Sequence, residues 1–358
     1  MFRKRGVPAE VWLAARALAT IEHLGAIAEQ AERVGLEVRW LDLGDQEGIA
    51  EAIRSFTSSQ APVIRISNSS ALRRRIRRTP PAAIWIQTPY PEHYPDWFWD
   101  ASKGISCYAG YGLTLSTWTA GLYGLETYRS CAAILAESAT VRDNYIDNGV
   151  LADRVILCGN PLLFELRRRM GDAPPTPFAV LWAPHWTEDW FGQRGYSRWR
   201  ETVHPLLIWA CDHPDSRILL RPHPLLPDGI AALPDSDEDA AAYRRLVALP
   251  NTTVSAGPLL DDILASAALI TDGVSIIAYW SSTGRPLGIT RDSESPPFNA
   301  TGEALCAAAE ILPTPGAVAS WLSVLEGRQT DVALRELSER LHPVFAESPI
   351  AMWNACRD

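Results

Sequence analysis

The chain has 358 residues, 47% of them hydrophobic and 21% charged, and a net charge of −9 at pH 7. At roughly 100–200 residues per domain this length suggests two domains, each able to bury a core of good size. The acidic balance argues against a general nucleic-acid binder, which is usually basic, so no nucleic-acid partner is expected.

Pro8 to Val34 reads as one helix, because Val11, Leu13, Ala14, Leu18, Ile21, Leu24, Ile27 and Ala28 recur at helical spacing. Gly35 stops it. Leu36 to Leu43 alternates like a strand. Gln46 to Ser55 reads as a helix, Pro62 to Ile66 as a short buried strand, Ser70 to Arg78 as a basic helix and Ala82 to Gln87 as another strand. Ile105 to Leu115 is glycine-rich and aromatic, and Gly121 to Arg129 reads as helical. Ala132 to Ala136 is a strand followed by a helix through Tyr145, and Val155 to Cys158 is a strand ending in Gly159-Asn160-Pro161. A helix from Leu162 to Met170 leads into Asp172 to Pro177, a proline-rich linker without apolar pattern.

The second half restarts the rhythm. Strands are expected at Phe178 to Trp182, Arg217 to Leu220, Thr252 to Val254, Ala268 to Thr271 and Leu287 to Thr290. Helices are expected at Val203 to Cys211, Asp237 to Ala248, Leu259 to Ala267, Ser275 to Ser282, Gly316 to Leu325 and Val332 to Ala346. Repeated β-α-β order implies mostly parallel sheets with helices on both faces. The expected organisation is an N-terminal Rossmann-like domain over residues 1–171, a C-terminal one over 178–330, and a closing helix in 331–358 that returns to the N-terminal domain. The ligand cleft is expected between the domains; a single large doubly wound domain is the alternative.

Six cysteines at irregular spacing, with no Cys-x-x-Cys pair, read as reduced thiols and give no metal site. Neither a signal-peptide h-region nor a run of 18 apolar residues is present, so a cytoplasmic protein is expected. His23, His204, His213 and His342 fall in helical patterns or loops and read as structural.

Two stretches carry chemistry. In open parallel sheets, ligands bind outside the carboxyl ends of the strands. Arg221-Pro222-His223-Pro224 follows a strand directly, and its prolines hold a guanidinium and an imidazole in a stiff, extended segment. That pair suits an anion, phosphate above all; a solvated loop is the plainer alternative. Thr271-Asp272-Gly273-Val274-Ser275 also follows a strand and opens a helix, whose N–H groups attract phosphate. Here the plainer alternative is an N-cap by Asp272 or Ser275. His185 and Trp186 sit at a third strand end in Ala183-Pro184-His185-Trp186, where the indole could stack on a base or sugar.

The order LWAPHW, RILLRPHP and DDILASAALITDGVSIIAYWSSTGRPLGI resembles the CDP-glycerol glycerophosphotransferase family, the teichoic-acid polymerases and primases. That family shows APTW, then RPHP, then TDYSS opening a helix, then a basic residue before proline, matched here by Arg285-Pro286. The resemblance covers most of Phe178 to Thr290; the first half matches loosely. It implies a GT-B fold, no metal and no cofactor, with a CDP-activated polyol phosphate as donor substrate. By this analogy His223 and Arg221 contact the donor pyrophosphate and stabilise the leaving CMP. Thr271, Asp272, Gly273, Ser275 and the helix start hold the same group, with His185 beside them, and Arg285 extends the positive field.

The departures bear on the chemistry. TDGVS keeps one of the family's two serines, and Tyr279 stands where the family has Asp. Where the family has WHGTP, with His as proposed base, this chain has Trp85-Ile86-Gln87-Thr88-Pro89. His93, or Glu92 or Asp96 if partly buried, is the expected substitute base, since all three follow the same strand end; an aromatic, proline-rich surface loop is the alternative. Gln87, Thr88, Tyr111 and Gly112 are the expected acceptor-side residues, the last two lying in a CYAGYG segment that resembles the YxPYG stretch of related polymer-synthesising enzymes, where a plain structural turn is the alternative. The departures leave a UDP- or GDP-sugar glycosyltransferase and a non-catalytic nucleotide-binding relative as rivals. Arg73 to Arg78 forms a dense basic cluster, with Arg167 to Arg169 adding to it. It reads either as a solvated face or as a peripheral contact with anionic lipid on the inner membrane face, at roughly 1 kcal/mol per residue. The expected acceptor is a lipid-linked or polymeric one.

Overall fold

The computed structural model describes residues 10–15, 21–44, 48–57, 59–110, 112–171, 175–190 and 193–343. The chain forms two compact units. One comprises residues up to Leu113, Trp118–Glu165 and the end of the chain from His342; the other comprises Thr114–Thr117 and Leu166–Leu341.

The first unit runs β1 (Glu10–Ala15), α1 (Ile21–Arg33), β2 (Glu37–Asp42), α2 (Ile49–Phe56), β3 (Val63–Arg65), α3 (Ser69–Arg78), β4 (Ala83–Ile86), α4 (Asp96–Ser102), β5 (Ser106–Tyr108), α5 (Glu126–Ser130), β6 (Ala133–Ala136), α6 (Ala139–Asp147), β7 (Val155–Leu157) and α7 (Pro161–Arg169). Its seven strands pair in parallel in the order β3-β2-β1-β4-β5-β6-β7. The chain starts mid-sheet and winds outward both ways, as in nucleotide-binding doubly wound domains.

The single N-terminal helix expected from Pro8 to Val34 is instead β1 followed by α1. The cause is visible in β1. Val11, Leu13 and Ala15 feed one hydrophobic cluster, while Trp12 and Ala14 feed the cluster on the opposite face. A central parallel strand is buried on both sides, so Val11 to Ala15 are all apolar and a helical period fits them as well as a strand period.

The second unit runs β8 (Ala179–Ala183), a short hairpin of β9 (Asp189–Trp190) and β10 (Gln193–Arg194), α8 (Trp199–Asp212), β11 (Arg217–Leu220), α9 (Leu226–Ala231), α10 (Glu238–Val247), β12 (Thr252–Val254), α11 (Leu259–Ala265), β13 (Ala268–Thr271), α12 (Ser275–Ser281), β14 (Leu287–Ile289), α13 (Ala300–Ala308), β15 (Glu310–Ile311), α14 (Pro315–Ser323) and α15 (Val332–Leu341). Six strands pair in parallel in the order β12-β11-β8-β13-β14-β15. The direction of winding reverses between β8 and β13, which makes their carboxyl ends the switch point where ligands bind. Val180, Trp182, Trp199, Ile218, Leu220 and Ile270 lie in one core cluster of this unit.

The two units divide inside α7, between Glu165 and Leu166, and Arg169 at the end of α7 pairs with Asp261 of α11. The closing helix α15 packs on α12 and α13 of the second unit; residues 344–358 lie outside the described residues. Among the described residues no helix is long and apolar enough to cross a membrane.

Candidate functional site

The strand ends of the second sheet carry the densest chemistry. Beyond β8 and β11 the two chains stay joined: the Arg221 amide donates to the Trp182 carbonyl at 2.8 Å and the His223 amide to the Pro184 carbonyl at 3.0 Å. His185 and His223 therefore arrive side by side, their ring centroids 5.3 Å apart. Trp186 lies 5.9 Å from the His223 ring and Tyr196 meets the His185 ring edge-on at 5.8 Å. Burial lowers His185 to about 3, assisted by the neighbouring His223, and lowers His223 to about 4. Both imidazoles are thus neutral at physiological pH.

Asp272 binds this arrangement together from the end of β13. One carboxylate oxygen accepts the His185 amide and the other the Arg198 amide, each at 2.5 Å. The side chain is 3% exposed, and burial raises it to about 7 against the pull of those two N–H groups. Through these bonds it fixes the loop after β8 and the start of α8. Thr271 is likewise inward, donating its hydroxyl to the Ala183 carbonyl at 2.6 Å and accepting the Gly273 amide at 2.8 Å. At Gly273 a Cβ would come 3.0 Å from the Thr271 hydroxyl, so the close turn favours glycine. Ser275 is half-buried at the first position of α12 and makes no cap bond. Arg221 is tied to Asp262 at 2.6 Å and to the Gly257 carbonyl at 2.7 Å.

Arg285 does not join this group. Its guanidinium donates to the carbonyls of Ile263 and Ser266 at the end of α11. It precedes β14, so it sits at the amino edge of a parallel sheet, opposite the edge that carries His223.

Residues that sequence reasoning passed over complete the site. The β9-β10 hairpin returns the chain so that the Ser197 amide bonds the Thr187 carbonyl and the Ser197 hydroxyl bonds the His185 carbonyl at 2.7 Å. At Gly195 a Cβ would lie 1.9 Å from the Thr187 carbonyl oxygen, so only glycine fits that crossing. Arg198 is 4% exposed and donates to the Gly195 and Ser197 carbonyls and to the Ser295 hydroxyl at 2.9 Å. Tyr196 stacks on Phe298 with centroids 5.4 Å apart.

In the first unit, the expected acceptor-side residues follow β4. Gln87 and Thr88 are buried, and the Tyr94 hydroxyl accepts their amides at 3.2 and 3.4 Å. The Thr88 hydroxyl lies 2.8 Å from His93 Nδ1, which holds that exposed imidazole at the strand end. Glu92 is exposed as well, not partly buried. Ile86, standing where the resembling family has its histidine, is fully buried. Gly112 is half-buried, and Tyr111 lies outside the described residues. On α3, Arg73, Arg74, Arg77 and Arg78 are exposed and, among the described residues, none forms an ion pair with a carboxylate. Among the described residues no three His, Cys, Asp or Glu side chains gather as a metal site would require.

Two parallel Rossmann-like sheets in one chain define the GT-B fold, and solved structures share it over nearly the whole length. UDP-GlcNAc 2-epimerase from Neisseria meningitidis, solved with UDP-GlcNAc bound, is 12% identical with a TM-score of 0.53, covering 98% of both chains. UDP-N-acetylglucosamine 2-epimerase from Rickettsia bellii is 10% identical with a TM-score of 0.59, covering 97% of this chain and 98% of that one. A variant of the wall teichoic acid polymerase TagF is 13% identical with a TM-score of 0.58, covering 98% of this chain and 88% of that one. No family model matches the chain, and no curated protein matches it in sequence.

Proposed function

We propose that this protein is a GT-B transferase that takes a nucleotide-activated donor, CDP-linked, and passes its polyol-phosphate group to a lipid-linked or polymeric acceptor of the cell surface. The observation that carries this reading is the His185-His223-Trp186 cluster at the carboxyl edge of the second sheet, beside its β8/β13 switch point. Two neutral imidazoles offer hydrogen bonds to a pyrophosphate, and the indole offers a face for a base or sugar. In the reaction an acceptor hydroxyl oxygen attacks the phosphorus of the polyol phosphate and the bond to CMP breaks. CMP leaves with the electron pair, and the hydroxyl proton passes to a base. His93, held by Thr88, is the residue of the first unit suited to take it. The RPHP stretch and its strand, RILL, support the CDP-linked donor through the family resemblance. The arginine face of α3 supports a partner of opposite charge, an anionic lipid surface, for a protein working peripherally at the inner face of the membrane.

A second reading, a UDP-sugar enzyme, is favoured by the buried Ile86 at the family's base position and by the UDP-GlcNAc 2-epimerases among the structures that share the fold. Calorimetric titration of the protein with CDP, CMP, UDP and GDP separates the two. Cytidine nucleotides are expected to bind tightest and to lose at least tenfold in affinity in His223→Ala. Preference for UDP would replace the first reading by the second, and binding of none of the four would overturn both.

A further inference from the structure

The hydrogen bonds around His185 and His223 determine which ring nitrogen carries the proton. The Thr187 backbone N–H points at His185 Nδ1 at 3.3 Å. An N–H cannot donate to a protonated nitrogen, so Nδ1 is the bare acceptor and Nε2 bears the hydrogen. The Thr187 hydroxyl agrees. It accepts the Tyr196 amide at 3.2 Å, which leaves its own hydrogen for His185 Nδ1 at 2.8 Å. At His223 the Leu225 backbone N–H points at Nδ1 at 3.3 Å, which sets the same tautomer. Among the described residues no protein atom bonds either Nε2.

We propose that His185 and His223 form a paired oxyanion site, two Nε2–H donors locked in one tautomer, with Thr187 as the positioning residue that locks His185. The site takes a phosphoryl oxygen of a phosphate or pyrophosphate group by neutral hydrogen bonds rather than by an ion pair. Such donors keep their hydrogens as pH rises through the range where an ordinary histidine loses its charge, about 6.5. Burial that disfavours imidazolium at both residues supports this picture. The inference deepens the donor-site reading and rests on it for the identity of the ligand, but the tautomers stand independently of any nucleotide.

Nitrogen-15 NMR of the histidine rings in the full-length protein tests it. Both rings are expected to show a bare Nδ1 and a protonated Nε2, unchanged between pH 5.5 and 8. Both Nε2 signals are expected to shift on addition of inorganic pyrophosphate. In Thr187→Val the backbone N–H still faces Nδ1 but the hydroxyl donor is lost, so the His185 ring is expected to keep its tautomer yet loosen, with a broadened Nε2 signal and pyrophosphate affinity down about tenfold, and Thr187→Ser is expected to restore both. A protonated Nδ1 at either residue in the wild type, or Nε2 signals indifferent to pyrophosphate, would overturn the proposal. If pyrophosphate shifts them but CDP and UDP bind no better than pyrophosphate, the oxyanion site stands and the nucleotide-donor reading falls. The wild-type spectrum decides the tautomers even if the valine variant fails to fold.

Discussion

Asp272→Asn tests the claim that Asp272 works through the loops it holds rather than through a ligand. The aspartate accepts two buried backbone N–H groups, from His185 and Arg198, one on each oxygen. Asparagine keeps one oxygen and turns the other into an NH₂, which confronts an N–H instead of accepting it. At pH 8, where the carboxylate is ionised, one bond to a charged acceptor is lost and one buried donor is orphaned, at a cost of about 1–3 kcal/mol. For a unit of this size each kcal/mol lowers the melting midpoint by roughly 2–4 °C, so a drop of roughly 2–12 °C is expected. Asp272→Ala removes both acceptors and is expected to cost about twice as much. Differential scanning calorimetry of the three proteins measures this, and titration with CDP well below the melt measures the accompanying loss as His185 loosens. An asparagine variant that melts within a degree of wild type would refute the reasoning, because it would mean the two short bonds add nothing net.

The same residues set opposed pH dependences. His185 and His223 titrate near 3 and 4 in the folded protein but near 6.5 unfolded, so the unfolded state binds more protons between those values. Their contribution to stability is whole above about pH 6.5 and is lost as pH falls toward 4. Asp272 runs the other way: raised to about 7 when folded, it contributes below about pH 3.9 and its contribution fades as pH rises through 7. Chemical denaturation from pH 4 to 8 is expected to show wild type losing stability on acidification relative to His185→Ala/His223→Ala; parallel curves would contradict the assigned shifts. Separately, flotation with phosphatidylglycerol vesicles is expected to carry the protein at low salt, and Arg74→Glu/Arg77→Glu to abolish that. Equal flotation of both proteins, or none with wild type, would remove α3 as the contact.

Much of the second unit is legible in its sequence because its elements are short and clearly punctuated. Arg217–Leu220, Thr252–Val254 and Ala268–Thr271 occupy the expected residues, bounded by Pro, Asn, Asp and Gly that no strand interior favours. The placement of RPHP and TDG at strand ends follows from those boundaries. Arg285 shows a limit of the same reasoning. A residue before a parallel strand and one after it lie at opposite edges of the sheet, so an Arg-Pro pair ahead of Leu287 could not share an edge with His223. That was available from the strand assignments and outweighs the family analogy for this one residue. The β1 error is different in kind: a strand with no polar face has no period to read.

What stays hidden is the scaffolding that turns two histidines into a site. Asp272 meets the His185 and Arg198 amides across 87 and 74 residues. No local pattern at Asp272 signals such a contact, because its two partners are backbone N–H groups, which every residue but proline carries. The signal that does exist is glycine. Gly195 is required where the hairpin crosses the Thr187 carbonyl, and that crossing brings the Tyr196 amide onto the Thr187 hydroxyl and frees its hydrogen for His185. A histidine at position 185 therefore needs a threonine two residues on and a glycine ten residues on to present a fixed donor. A histidine at this position brings a ring whose tautomer must be chosen, and the rest of the hairpin supplies the atoms that choose it.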